Sequence, residues 1–359
     1  MEKNKRLKYI FVHGLSGWGS YDEMYERMPY WGMRNGDLIR QLREAGHEAY
    51  CASVSPHGSA YDRACELYAQ LFGKVTDYGE RHSERNGHER FGPDFSGRAL
   101  IPALRENEKL VLLGHSFGGA TIRVFANIME YGVKEEQGET SSDFFKGGQK
   151  DKIFALVALA APHNGTTAYD MYEDPDFDPE KIKGDLIENL AAWAMSRANE
   201  PKTKTKYEDS AACDMHIDNA MELNRRLPLS KEIYYFSQPC EITVRNGDGT
   251  YRPIRNKTEL MFSRTARRMG AYKGRTRGGY IIDESWRPSD GLVNTVSAKY
   301  PLSDPQKDFD VMRIEKGIWN VFEIYKGDHM SLQGGMVKKN EVFSYYKRLL
   351  AMIDSLGGK

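Results

Sequence analysis

The sequence predicts an α/β fold, with a mostly parallel central sheet and helices on both of its faces. Two observations carry this expectation. Short apolar runs alternate along the chain with stretches of helical spacing, the pattern of strand–helix–strand units around a buried sheet. One such run, Lys109-Leu110-Val111-Leu112-Leu113, feeds straight into Gly114-His115-Ser116-Phe117-Gly118, and a helical stretch begins at Gly119. Strand, Gly-x-Ser-x-Gly, helix is the setting of a nucleophile elbow, a sharp turn that presents a serine at the end of a parallel strand. Glycines on both sides of Ser116 let the helix approach the strand without an intruding Cβ.

The elements follow in order. Tyr9-Ile10-Phe11-Val12 reads as a buried strand ending at His13-Gly14. Asp37–Ala45 has helical spacing and stops at Gly46, a natural C-cap. Glu48–Val54 reads as the next strand, and Tyr61–Phe72 as a helix closed by Gly73. Residues 74–98 are charged and Gly-rich and read as loop, not sheet. The elbow strand and its helix, to Tyr131, come next, followed by a polar loop. Ile153–Leu159 and Glu232–Phe236 are further strands, and Ile318–Glu323 a late one. Val342, Phe343, Tyr346, Leu349, Leu350 and Ile353 mark the apolar stripe of a last helix. Residues 168–210 break the alternation. There a helix is expected with Asp178 as N-cap and Pro179 at its first position. Ile182, Leu186, Leu190, Trp193 and Ala194 share one face of it, which suits either a core-facing helix or a movable flap over a site.

Composition excludes several classes. Lysine plus arginine equals aspartate plus glutamate, 51 each, so no nucleic acid is expected as partner. Cys51, Cys65, Cys213 and Cys240 have no metal-site spacing, and no disulfide framework is expected. No transmembrane segment is present, and Tyr9–Val12 is too short for the apolar core of a leader. That reading leaves a chain that stays inside the cell or one whose leader has been removed.

A serine hydroxyl is a poor nucleophile until a histidine takes its proton and an acid orients that histidine. On an elbow of this kind the chain order is Ser, then Asp or Glu, then His. His329, in Gly327-Asp328-His329-Met330 between the late strand and the last helix, stands where the base belongs. His163 comes too early, and His216 leads into another helix. Asp290, in Ser289-Asp290-Gly291-Leu292-Val293-Asn294, suits the acid and also suits a helix N-cap; Asp328 is its competitor. An oxyanion hole needs two backbone N–H groups. Phe117, after the nucleophile, supplies one, and Leu15 in His13-Gly14-Leu15-Ser16-Gly17 the other, with His13 orienting the loop.

The chain resembles the zinc-containing thermoalkalophilic lipases of Gram-positive bacteria, within the α/β-hydrolase superfamily. The resemblance rests on His13-Gly14-Leu15-Ser16-Gly17-Trp18-Gly19, Tyr30-Trp31-Gly32, Asp62–Leu71, Asp77-Tyr78-Gly79, His82, Gly87–Gly92, Ala161–Thr167, Ser289–Ser297 and Asp328-His329, in order and at similar spacing. It implies the same triad (Ser116, Asp290, His329) and the same oxyanion donors (Leu15, Phe117), although the family usually has Gln after the nucleophile. It implies an α/β-hydrolase fold over residues 1–359 as a single domain, with a zinc-binding insertion at 58–98 (with 207–220) and a shortened lid at 168–210. The implied zinc ligands are Asp62, His82, His88 and Asp214, a closed and therefore structural shell. Calcium is predicted absent, because Ser331–Met336 offers no carboxylate after the catalytic histidine. The expected activity is lipase-type ester hydrolysis, with lipid or another ester as substrate, a lipid–water interface being one setting for it. The family is secreted, so an extracellular location is expected by resemblance. The rival readings are a short-chain carboxylesterase or polyester hydrolase with an open site and, in another class, a non-catalytic binding protein on the same fold.

Overall fold

The structure, a computed structural model, describes residues 6–138, 140–182, 206–255, 257–335 and 341–357. Its strands are β1 (Arg6–Val12), β2 (Glu48–Ala52), β3 (Val75–Asp77), β4 (Phe91–Asp94), β5 (Glu108–His115), β6 (Ile153–Leu159), β7 (Tyr234–Gln238), β8 (Thr243–Arg245), β9 (Tyr251–Pro253), β10 (Gly274–Arg275), β11 (Ile281–Ile282), β12 (Gln306–Asp308) and β13 (Trp319–Val321). Seven of them form one parallel sheet in the order β12-β13-β7-β6-β5-β1-β2. β5 lies inside it, pairing Val111 with Tyr9 on one side and Leu113 with Val157 on the other.

The period-2 alternation of the central strands sorts their side chains into two cores. Ile10, Val12, Leu110, Leu112, Leu156 and Ala158 face the helices Ala60–Phe72 and Gly118–Tyr131. Tyr9, Phe11, Val111, Leu113, Ala155 and Val157 face the helices Leu38–Glu44 and Glu341–Gly357. Each of the large side chains so buried contributes about 1.5–3 kcal/mol. The first helix of each face is capped as its sequence requires. Asp37 accepts from the Arg40 N–H, and Ser59 from the Asp62 N–H.

The structure differs from the sequence expectation in particular places. Residues 74–98 are not all loop: β3 and β4 pair antiparallel around a helix at Glu80–Asn86. The glycines that read as loop are its boundaries, Gly79 at φ +88° and Gly87 at φ +71°. The N-terminal N–H groups of that short helix find their acceptor far along the chain, in the Glu136 carboxylate, which takes the N–H of Arg81 and of His82. β2 ends at Ala52, short of Val54, and the late strand is confined to Trp319–Val321. Asp178 does cap a turn, at Pro179–Lys181. The rest of the expected helix, from Leu186 to Ala194, lies outside the described residues. No described helix is long and apolar enough to cross a membrane.

Candidate functional site

The site lies where the C-terminal ends of the parallel strands meet, as open α/β sheets place their ligands. Ser116 follows β5 at φ +55°, a left-handed conformation that costs a non-glycine residue about 1–2 kcal/mol. The surroundings enforce it. The Ser116 N–H donates to the Leu159 carbonyl at 2.9 Å. A Cβ on Gly114 would stand 2.4 Å from the Gly118 oxygen, and one on Gly118 2.4 Å from the Val12 oxygen. Only glycines permit this close packing of turn, strand and helix.

His329 sits with Nε2 2.8 Å from Ser116 Oγ and Nδ1 2.8 Å from Asp290 Oδ2. All three side chains are buried, Asp290 completely. The His329 N–H also donates to the Asp290 carbonyl at 2.9 Å, so backbone and side chain both tie the histidine to the acid. The other Asp290 oxygen, Oδ1, accepts the N–H groups of Leu292 (3.0 Å) and Val293 (2.8 Å). Asp290 thus closes its own turn, while Asn294 takes the cap position of the helix Thr295–Lys299. Asp328 faces away and accepts from the Glu259 N–H and the Ser331 hydroxyl. His163 packs edge-on to Trp319, and His216 lies against Asp170 and Tyr207. His13 takes the Val54 N–H on Nε2, leaving Nδ1–H to donate to the Gly14 carbonyl. Burial, with Arg63 nearby, lowers its pKa to about 3, so it is neutral.

Phe117 follows the nucleophile in the chain, and a Cβ on Gly14, the residue before Leu15, would stand 2.7 Å from Ser116 Cβ; among the described residues no backbone acceptor takes the N–H of Leu15 or of Phe117. Sequence reasoning missed what braces them. Arg63, fully buried, donates to the carbonyls of His13 and Ser55 and to the Thr121 hydroxyl. Its guanidinium also lies 5.3 Å from the centroid of the Phe117 ring. The signal available beforehand was an arginine on the apolar face of a helix, which marks a buried partner.

A second cluster gathers Asp62, His82, His88 and Asp209, with one ligand atom from each lying within 4.8 Å of all the others. Asp209 replaces the expected Asp214. The Asp214 carboxylate points instead to the start of the helix Ala60–Phe72 and accepts the Ala60 N–H at 2.7 Å. The short turn Tyr207–Asp209 carries a fourth oxygen into the cluster. Asp62 Oδ1 is 3.0 Å from His82 Nε2, and Asp209 Oδ2 is 3.3 Å and 3.2 Å from the Nε2 atoms of His82 and His88. Bonds of about 2.0–2.1 Å in a tetrahedron imply edges of about 3.3 Å, so the spacing fits a small divalent cation. Among the described residues, His88 Nε2 and Asp209 Oδ2 are buried without a hydrogen-bond partner, as metal-directed atoms are. The His88 Nδ1–H donates to the Glu89 carbonyl at 2.8 Å, aiming the Nε2 lone pair into the cluster. Burial opposes charge on His82, but the carboxylates of Asp209 and Asp62 beside its Nε2 push its pKa up to about 9, the response of a cluster short of positive charge. This buried His/Asp cluster can hold a metal ion.

Comparison with known proteins bears on the fold that carries this site. A family profile described as "Lipase-like, C-terminal domain" matches residues 5–182. Lipase 2 of Staphylococcus aureus is 30% identical over 356 residues, covering 90% of this chain and 50% of that protein. The lipase of Staphylococcus hyicus is 30% identical over 364 residues, covering 92% of this chain and 54% of that protein. The chain thus spans about half the length of the curated relatives it matches. Among solved structures, EstA from Clostridium botulinum superposes with a TM-score of 0.83 at 29% identity, over 99% of this chain and 88% of that one. The Staphylococcus hyicus lipase gives 0.79 at 27%, over 99% and 98%. In sequence and in fold the chain is thus similar to lipases of Gram-positive bacteria, these Staphylococcus enzymes among them.

Proposed function

We propose that the chain hydrolyses carboxylic esters, with lipid esters as the substrate class, through an acyl-enzyme on Ser116. The observation that carries this reading is the continuous line from Asp290 through His329 to Ser116, with both contacts at 2.8 Å. His329 Nε2 takes the Ser116 proton as Oγ attacks the ester carbonyl. The oxyanion so formed is held by the N–H groups of Leu15 and Phe117. Asp290 keeps the Nδ1–H tautomer and stabilises the imidazolium. His329 then gives its proton to the departing alcohol. A water, deprotonated by the same histidine, attacks the acyl-enzyme and releases the acid, and the proton returns to Ser116.

The metal cluster takes a separate role in this proposal. Asp62, His82, His88 and Asp209 would hold a zinc ion whose chemistry is structural, because four protein ligands leave no open position. Asp62 belongs to the core helix Ala60–Phe72, the two histidines to the insertion, and Asp209 to the segment returning toward the sheet. The residues therefore cross-link three parts of the chain.

Ser116→Ala tests the reading. Turnover of p-nitrophenyl butyrate and labelling by a fluorophosphonate probe should both vanish, with the melting temperature kept within a few degrees. Retained turnover would refute the assignment. Rates on emulsified long-chain triglyceride against the soluble ester then distinguish a lipase from a short-chain esterase.

A further inference from the structure

We propose that Tyr30 and His115 are positioning residues that hold the oxyanion loop and the catalytic histidine in register through one directional chain of hydrogen bonds, an inference that rests on the ester-hydrolase reading. The Gly14 N–H lies 3.0 Å from Tyr30 Oη, Tyr30 Oη 2.7 Å from His115 Nδ1, and His115 Nε2 2.8 Å from the carbonyl oxygen of His329. The direction of each bond follows from its end points. The His329 carbonyl only accepts, so His115 Nε2 carries the hydrogen. A neutral imidazole then has its lone pair on Nδ1, which accepts a hydrogen bond from the Tyr30 hydroxyl. The Tyr30 oxygen is left to accept the Gly14 N–H. Burial, with His329 alongside, lowers the His115 pKa to about 3, so the ring stays neutral and the chain keeps its sense.

The two ends of this chain are where the proposed chemistry needs rigidity. Gly14 precedes Leu15, and the peptide group that bears the Leu15 N–H has the Gly14 carbonyl at its other side. That carbonyl accepts from His13 Nδ1 at 2.9 Å, while Tyr30 holds the Gly14 N–H. With both neighbouring groups tied, a trans peptide aims the Leu15 N–H in one direction. At the far end, His115 holds the backbone carbonyl of His329, the residue whose Nε2 must stay 2.8 Å from Ser116 Oγ. His115 adjoins Ser116 in the chain, so the oxyanion loop, the elbow and the histidine loop are referred to one ring. Packing locks the intermediates. Tyr30 is buried at 5% exposure and His115 at 1%. Trp18 and Trp31 contact the Tyr30 ring edge-on at 5.5 Å each, and the His115 and His329 rings are 4.9 Å apart.

Tyr30→Phe keeps the ring and its packing but removes the donor to His115 and the acceptor for Gly14. Displacements of an ångström or less at such a site cost about 10- to 100-fold in rate. The expected result with p-nitrophenyl butyrate is a fall in kcat of about 10- to 100-fold, with KM within about twofold. Histidine 15N spectra of the wild-type protein should show His115 as the Nε2–H tautomer, a signature that packing alone does not dictate. Wild-type kcat in a folded Tyr30→Phe protein overturns the proposal, as does an Nδ1–H tautomer at His115. If Tyr30→Phe melts below the assay temperature, His115→Gln and the wild-type tautomer decide the question. Failure of the ester-hydrolase reading looks different: the wild-type protein itself then lacks Ser116-dependent fluorophosphonate labelling, which overturns the proposed catalytic role as well.

Discussion

Asp290→Asn is expected to inactivate the enzyme through hydrogen-bond geometry alone. Asp290 Oδ1 accepts two backbone N–H groups, from Leu292 and Val293, and Oδ2 accepts the His329 Nδ1–H. An asparagine has one oxygen and one NH2 group to place in these two positions. At a fully buried site two unpaired amide N–H groups cost about 1–3 kcal/mol each, so the oxygen stays with the backbone pair. The NH2 group then faces Nδ1, and His329 is driven to the tautomer with its hydrogen on Nε2, pointing at Ser116. That imidazole has no lone pair for the serine proton. The loss expected from a wrong tautomer is about 10⁴ in kcat, or about 5 kcal/mol of transition-state stabilisation. The fold should survive, since both backbone bonds persist. The assay is kcat for p-nitrophenyl butyrate, with a thermal melt in parallel. A folded Asp290→Asn protein within tenfold of wild-type kcat would refute the reasoning. Asp290→Ala should separate the two roles, because it strands both N–H groups and lowers stability by about 2–6 kcal/mol as well.

Stability should fall with acid through three buried, neutral histidines. Burial lowers the pKa of His13 and of His115 to about 3, and that of His163 well below its usual value. The unfolded chain, with imidazoles near 6.5, binds more protons between pH 6.5 and about 3, so stability rises with pH across that window, by up to about 1.4 kcal/mol per pH unit for each histidine. Urea midpoints at pH 7 and pH 5 should show this slope, and replacing His163, whose ring nitrogens have no hydrogen-bond partner among the described residues, with Leu (His163→Leu) should reduce it by about a third. Asp209→Ala should abolish stoichiometric zinc on elemental analysis, while Asp214→Ala retains it; the reverse result would reinstate the sequence expectation. Chelation should lower the melting temperature of the wild-type protein but not of Asp209→Ala. Gly114→Ala should destabilise by about 3 kcal/mol in denaturant titration, because its Cβ would stand 2.4 Å from a backbone oxygen that cannot move without shifting the elbow helix.

The part of this protein that is written locally can be read from the chain before it folds. The Gly114–Gly118 motif, the strand before it and the helix after it are neighbours in the chain, so steric rules for glycine and the period of apolar residues were enough to place Ser116. Chain order on this fold is restrictive enough to single out His329 and Asp290 as candidates beside it. Tertiary structure alone decided contacts between segments distant in sequence whose ends carry no local mark. Asp209 and Asp214 are both acidic residues on the same returning segment; which one reaches His82 and which caps Ala60 depends on how the turn Tyr207–Asp209 docks. The helix Glu80–Asn86 is too short to stand on local propensity and exists because Glu136 and the β3–β4 pair hold it. The Tyr30–His115–His329 chain joins residues 85 and 214 positions apart. A hydrogen bond depends on ångström-scale approach and direction, and across such separations only the folded packing of the sheet and its loops sets them.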